Sequence, residues 1–227
     1  MSSGPSRQEA GVRDRPWDAR LANRLVRPLR RSSLSPSVLT TVRLAVGLSA
    51  AAAIAVGDPG WANRGAVLFA LSNFLDHTDG ELARMTGRTS RAGHVYDLAS
   101  DALVHVLFFV GIGYGLRAGP LGGAAPALGV VAGVSVSAIF LLRIEIERRF
   151  GKEASRLPGV ARFEIEDLLY LMPLVTWAGG LLPFLVAAAI GGPLFGGWLV
   201  WRHRPGSGDP DPGRGPVDPG RGPVDPG

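Results

Sequence analysis

The sequence predicts an all-α integral membrane protein, with six transmembrane helices preceded by an amphipathic surface helix. Three observations carry that expectation. The 227-residue chain is 46% hydrophobic and 19% charged, and its polar stretches sit at residues 1–31 and 203–227, so the apolar content is concentrated between them. Gly- and Pro-rich turn signals at Gly57–Gly60, Gly119–Gly123 and Gly179–Gly180 cut that stretch into helix-sized pieces. Finally, with six spans, all but Arg43, Arg64 and Arg117 of the 24 Lys and Arg residues fall on one side. The positive-inside rule makes that side cytoplasmic, and five or seven spans would scatter the charge.

The elements follow in order. Residues 1–15 are polar and rich in Gly, Ser and Arg, which predicts disorder, and no apolar core follows the first basic residues as a secretory signal would require. Residues 16–34 form the juxtamembrane helix: Trp17, Leu21, Leu25 and Leu29 recur at helical spacing among arginines, a pattern suited to an anionic lipid surface. The six-helix domain occupies 35–202. Its first span opens at Ser35-Pro36, with Ser as cap and Pro at the first helical position, and runs to about Val56. Arg43 lies inside this span and must face protein or snorkel to the interface. The second span starts near Trp61 and ends among Asp76 to Arg84; the third covers about Gly93 to Leu116, the fourth Ala124 to Leu142, the fifth Leu168 to Ala178 with an extension back to Phe163, and the sixth Leu182 to Trp201. A charged segment, Arg143 to Asp167, separates the fourth from the fifth. The tail, 203–227, repeats DPGRGPV and is too rich in Pro and Gly to fold.

The chemistry concentrates between Asp76 and Asp101. Asp76 and Asp79 stand at i, i+3, and Asp97 and Asp101 at i, i+4, so each pair shares a helix face. A carboxylate at membrane depth costs roughly 2.5–3.5 kcal/mol, so four of them imply compensating charge and a function. Two helix ends facing each other would bring the four together, where unaided some would stay protonated. Divalent cations remove that conflict, and all-oxygen ligands select hard ions such as Mg²⁺ or Mn²⁺. Four carboxylates suit a pair of ions about 3.5–4 Å apart, an arrangement that serves phosphoryl chemistry. Gly80 lets a ligand or backbone approach closely, and Arg84 offers a planar fork to a phosphate oxygen.

The spacing D-x2-D-G-x2-A-R-x8-G-x3-D-x3-D is met at every fixed position by Asp76, Asp79, Gly80, Ala83, Arg84, Gly93, Asp97 and Asp101. It resembles the signature of the CDP-alcohol phosphotransferase family of integral membrane enzymes. The resemblance implies transfer of a substituted phosphate from a CDP-alcohol to a hydroxyl acceptor with release of CMP, using two Mg²⁺ ions, in a homodimer. CDP-diacylglycerol is the expected donor, a small alcohol the acceptor, and a phospholipid of the cell membrane the product. Asp76, Asp79 and Asp97 would be metal ligands. Asp101, near or on the second ion, would take the acceptor's proton, although spacing alone does not separate its role from that of Asp97. Gly80, Ala83, Arg84 and Gly93 would lie along the CDP-alcohol, Gly93 chiefly by shaping the entry to its helix. Ser90 stands where the family often has a donor-contacting residue. The opening of the first helix, SPSVLTTVR, is similar to the family's Ser-Pro-Asn segment, which makes Ser37 and Thr40 candidates, with Ser37 where Asn or Asp is common.

Arg143 and Glu147, in the charged segment, are candidates for the acceptor site. Because acids interleave the bases there, a neutral or amine-bearing acceptor suits the segment at least as well as an anionic one. His77, His94 and His105 follow no metal-ligand pattern and read as polar neighbours. The absence of cysteine excludes disulfides, thiol nucleophiles and cysteine metal sites. No nucleic-acid motif accompanies the basic balance. Within the family, a CDP-choline or CDP-ethanolamine type enzyme with a lipid acceptor is the rival. Outside it, a membrane prenyltransferase spaces its aspartates differently, and a cation-binding transporter would carry inverted repeats that this chain lacks.

Overall fold

The computed structural model describes residues 36–86, 90–150 and 169–203, and these are almost wholly helical. The helices are α1 (Pro36–Ala55), α2 (Pro59–Thr86), α3 (Arg91–Gly115), α4 (Ala124–Phe150), α5 (Met172–Trp177) and α6 (Leu181–Arg202). The expected surface helix and the repeat tail beyond His203 lie outside the described residues. Four helices, α1, α3, α4 and α6, are long and apolar enough to cross a membrane. With 28 residues α2 is longer still, but it carries Arg64, Asp76, Asp79, Glu81 and Arg84. Only six residues of the expected fifth span form α5, and residues 151–168 before it lie outside the described set.

Several boundaries differ from expectation, two of them for a clear local reason. Helix α2 begins at Pro59 rather than near Trp61: Asp58 Oδ1 accepts from the Trp61 N–H at 3.0 Å, and Pro59 needs no amide partner there. The chain reversal is left to Gly57, at φ +80°, which only glycine adopts freely and where a Cβ would meet the Gly115 carbonyl at 2.6 Å. Helix α4 does not stop at Leu142 but runs on to Phe150. Three and four positions past its first acid, the charged segment supplies its own helical pairs: Arg148 Nε and Nη2 donate to the two Glu145 carboxylate oxygens, each at 2.8 Å, and Arg149 Nε also donates to Glu145.

Helix α1 packs on α2 and α3, α3 on α4, α4 on α6, and α2 on α5. The core gathers Ile54, Phe69, Phe108, Phe109, Ile112 and Met172. Phe69 and Phe108 stack with centroids 3.7 Å apart and planes within 5°. Helices in lipid gain little from hiding apolar surface from one another, so close backbone approach matters more. Gly111 provides it: a Cβ there would stand 2.5 Å from the Ala51 carbonyl of α1. Along the antiparallel α3–α4 pair, Gly133 lies against Val106, and Ser137 Oγ donates to the Ala102 carbonyl at 3.2 Å. Continuing that register sets Arg143 level with the Tyr96–Asp97 turn of α3.

Candidate active site

The site forms where α1, α2 and α3 meet. Thr41 donates its single hydroxyl proton to the Ser37 carbonyl at 2.8 Å, so Tyr96 of α3 is the donor in the 3.0 Å contact between the two hydroxyls. Ser72 of α2 donates to the Arg43 carbonyl at 3.1 Å. These bonds tie α1 to both neighbours on either side of Arg43.

Arg43 is the centre of the arrangement, with 2% of its surface exposed. Its Nη1 donates to Asp76 Oδ1 on α2 and, at 3.2 Å, to Asp101 Oδ1 on α3. Its Nη2 donates to the carboxylate and the backbone carbonyl of Asp97, both at 3.1 Å. Three acids from two helices thus converge on one guanidinium, whose planar fork can serve several acceptors at once. The carboxylates are 33%, 35% and 29% exposed, so the cluster opens to one side. Among the described residues, one guanidinium faces three carboxylates, an imbalance that a further cation would relieve.

Asp76, Asp97 and Asp101 are therefore brought together. Asp79 lies one helical turn beyond Asp76 on α2, followed by Gly80, Ala83 and Arg84; the side chains of these four lie outside the described residues. Ser90 caps α3, its Oγ accepting from the Gly93 N–H at 3.0 Å. A Cβ on Gly93 would sit 4.0 Å from Ser37 Oγ, so Ser37, Ser90 and Gly93 share one corner. Thr40 is buried on α1. Arg143 and Glu147 stand one turn apart on α4, both half-buried.

Among the described residues, no three His, Cys, Asp or Glu side chains close into a metal-ligating group. The donor set nevertheless suits a hard divalent ion: Asp76, Asp97 and Asp101 already direct oxygen atoms at a shared cation, and one side is open.

Sequence reasoning did not connect Arg43 to the aspartates, although the signal was present: an arginine inside an apolar span needs an anion, and the neighbouring spans supply four. Tyr96 was also missed, and no motif marks it.

Fold and site together define a helical membrane protein whose acidic centre is built from two helices around a buried guanidinium. The family model for CDP-alcohol phosphatidyltransferase matches residues 33–201, and the chain belongs to that family. Its members are transferases of substituted phosphate groups that move a phosphatidyl group from a CDP-alcohol in phospholipid synthesis, generally with divalent ions. Among curated proteins, no sequence matches the chain.

Proposed function

We propose that this protein transfers the phosphatidyl group of CDP-diacylglycerol to a small alcohol, releasing CMP, and that it requires Mg²⁺ or Mn²⁺. The observation that carries the reading is the convergence of Asp76, Asp97 and Asp101, from two helices, on one cationic point. Asp76, Asp79, Asp97 and Asp101 would hold the ions, which when bound supply positive charge against the diphosphate and the departing CMP. Arg84 and the corner formed by Ser37, Ser90 and Gly93 flank the donor. The acceptor hydroxyl gives its proton to Asp101 and its oxygen attacks the phosphorus on the diacylglycerol side. The bond from that phosphorus to the bridging oxygen breaks, and CMP leaves with the electron pair. A positioned general base contributes typically 10²–10⁴-fold.

For the acceptor we favour a neutral polyol or an amine-bearing alcohol, with Arg143 and Glu147 at its entry. Glu145 already engages Arg148 and Arg149, which lessens their use as a phosphate clamp. The test is CMP release in detergent from CDP-diacylglycerol with inositol, glycerol, serine, ethanolamine and their phosphorylated counterparts, with mass spectrometry of the product. No CMP from any CDP-alcohol removes the enzymatic reading; strong preference for a phosphorylated acceptor removes the acceptor reading. EDTA is expected to abolish turnover and Mg²⁺ to restore it.

The proposal includes six spans, a surface helix before the first, a homodimer, and both termini with the aspartate site at the cytoplasmic face of the cell membrane. Because the chain has no cysteine, introduced ones report cleanly. A cysteine at Arg88 should label only from the cytoplasmic side and one at Gly123 only from the other; the reverse pattern refutes the orientation.

A further inference from the structure

One buried polar side chain beside the aspartates has so far no role. His105 lies one turn after Asp101 on α3 and is 4% exposed. Its Nδ1 is 2.9 Å from the Asp101 carbonyl oxygen and 3.3 Å from Asp101 Oδ1. Both of those atoms are acceptors, so the hydrogen is on Nδ1; it is donated to the carbonyl, and its positive edge faces Oδ1. The ring is fixed by two other helices. Phe69 of α2 meets it edge-on at 5.7 Å, and Phe140 of α4 lies 4.9 Å from its centroid. Its Nε2 is buried without a hydrogen-bond partner among the described residues. A polar atom left unpaired in an apolar wall is unfavourable, so a histidine here needs a reason that a leucine would not.

We propose that His105 is a positioning residue for Asp101, a role that rests on the reading of Asp101 as the acceptor's base. Arg43 Nη1 donates to Asp101 Oδ1 at 3.2 Å, and His105 Nδ1, bonded to the Asp101 carbonyl, stands 3.3 Å from the same carboxylate oxygen. With Oδ1 engaged from two sides, the carboxylate plane is set and Oδ2 is the oxygen presented to the acceptor hydroxyl. The Phe69 and Phe140 contacts transmit the packing of α2 and α4 to that plane. His105 touches neither substrate; it acts through Asp101.

The test compares His105→Asn, whose amide N–H can stand where Nδ1–H stood, with His105→Leu, which fills the space and donates nothing. Turnover is measured by CMP release from CDP-diacylglycerol with the acceptor that turns over fastest. Since a hydrogen bond to a charged group is worth a factor of about ten or more, His105→Leu should lower kcat about tenfold while KM for the donor stays within about twofold, and His105→Asn should recover most of the loss. Equal kcat for His105→Leu and wild type, or equal loss in both variants, overturns the proposal. A second readout does not depend on turnover: in ¹⁵N NMR of histidine-labelled protein, the His105 signal should be that of the Nδ1-protonated ring and should move in Asp101→Asn. An Nε2-protonated ring, or no response to Asp101→Asn, refutes the pairing. If the wild type released no CMP, the enzymatic reading would fall and the NMR result alone would decide the His105–Asp101 pairing.

Discussion

Replacing Arg43 by methionine removes the guanidinium on which three acids converge while keeping most of the side chain's volume. Removing one member of a buried ion pair costs about 3–5 kcal/mol, because the remaining charges lose their counterion. Here the acids are about a third exposed, so water and salt offset part of the loss and the lower figure, about 3 kcal/mol, is the better guide. For a chain of this length, 1 kcal/mol moves the melting temperature by about 2–4 °C, so Arg43→Met should melt roughly 6–12 °C below wild type without metal. Arg43→Lys should fall between the two, since an ammonium brings the charge but not the fork that reaches three acids. Mg²⁺ should raise the melting temperature of Arg43→Met more than that of wild type, because the ion supplies the charge that is missing; at a hundred times its dissociation constant, a ligand stabilises by about 2.7 kcal/mol. The assay is thermal unfolding in detergent, followed by intrinsic tryptophan fluorescence, in EDTA and in Mg²⁺. An Arg43→Met protein that melts within 2 °C of wild type in EDTA would show that the guanidinium does not organise the acids.

Three further outcomes follow from the geometry. Asp101→Asn keeps the shape of the side chain but removes the proposed base, so CMP release should fall by about 10²–10⁴-fold, and a smaller fall in kcat would argue for a different proton acceptor. Ser90→Gly should cost a few tenths of a kcal/mol if the hydroxyl only caps α3, and Ser90→Ala about 1 kcal/mol; a rise in donor KM that is equal in both variants would instead reveal substrate contact. Gly111→Leu drives a side chain into the Ala51 carbonyl, and overpacking of this kind costs about 1–3 kcal/mol or more, read as a lower melting temperature and poorer yield of folded protein.

Helix identity was readable because apolar content and Gly-Pro punctuation are local properties. The aspartate signature was equally legible, since carboxylates at i, i+3 and i, i+4 share a helix face without help from the rest of the chain. Boundaries were less so. Pro59 and Gly60 read as a turn until Asp58 is seen capping the next helix, and the charged segment after Leu142 reads as a loop until Glu145 is seen bridging to Arg148 and Arg149.

The sequence by itself determined that the chain is helical with long apolar segments, that its acids gather between Asp76 and Asp101, and which family it belongs to. Tertiary structure decided what the acids face. Arg43 is 33 residues from Asp76 and 58 from Asp101, and nothing in that spacing marks it as their counterion. The choice depends on how close α1 comes to α2 and α3 and on which way a side chain is turned inside the bundle. The same holds for His105, whose ring is held by phenylalanines from two other helices. Distances across a bundle are set by the packing of backbones and side chains far apart in the chain, and no local pattern records them.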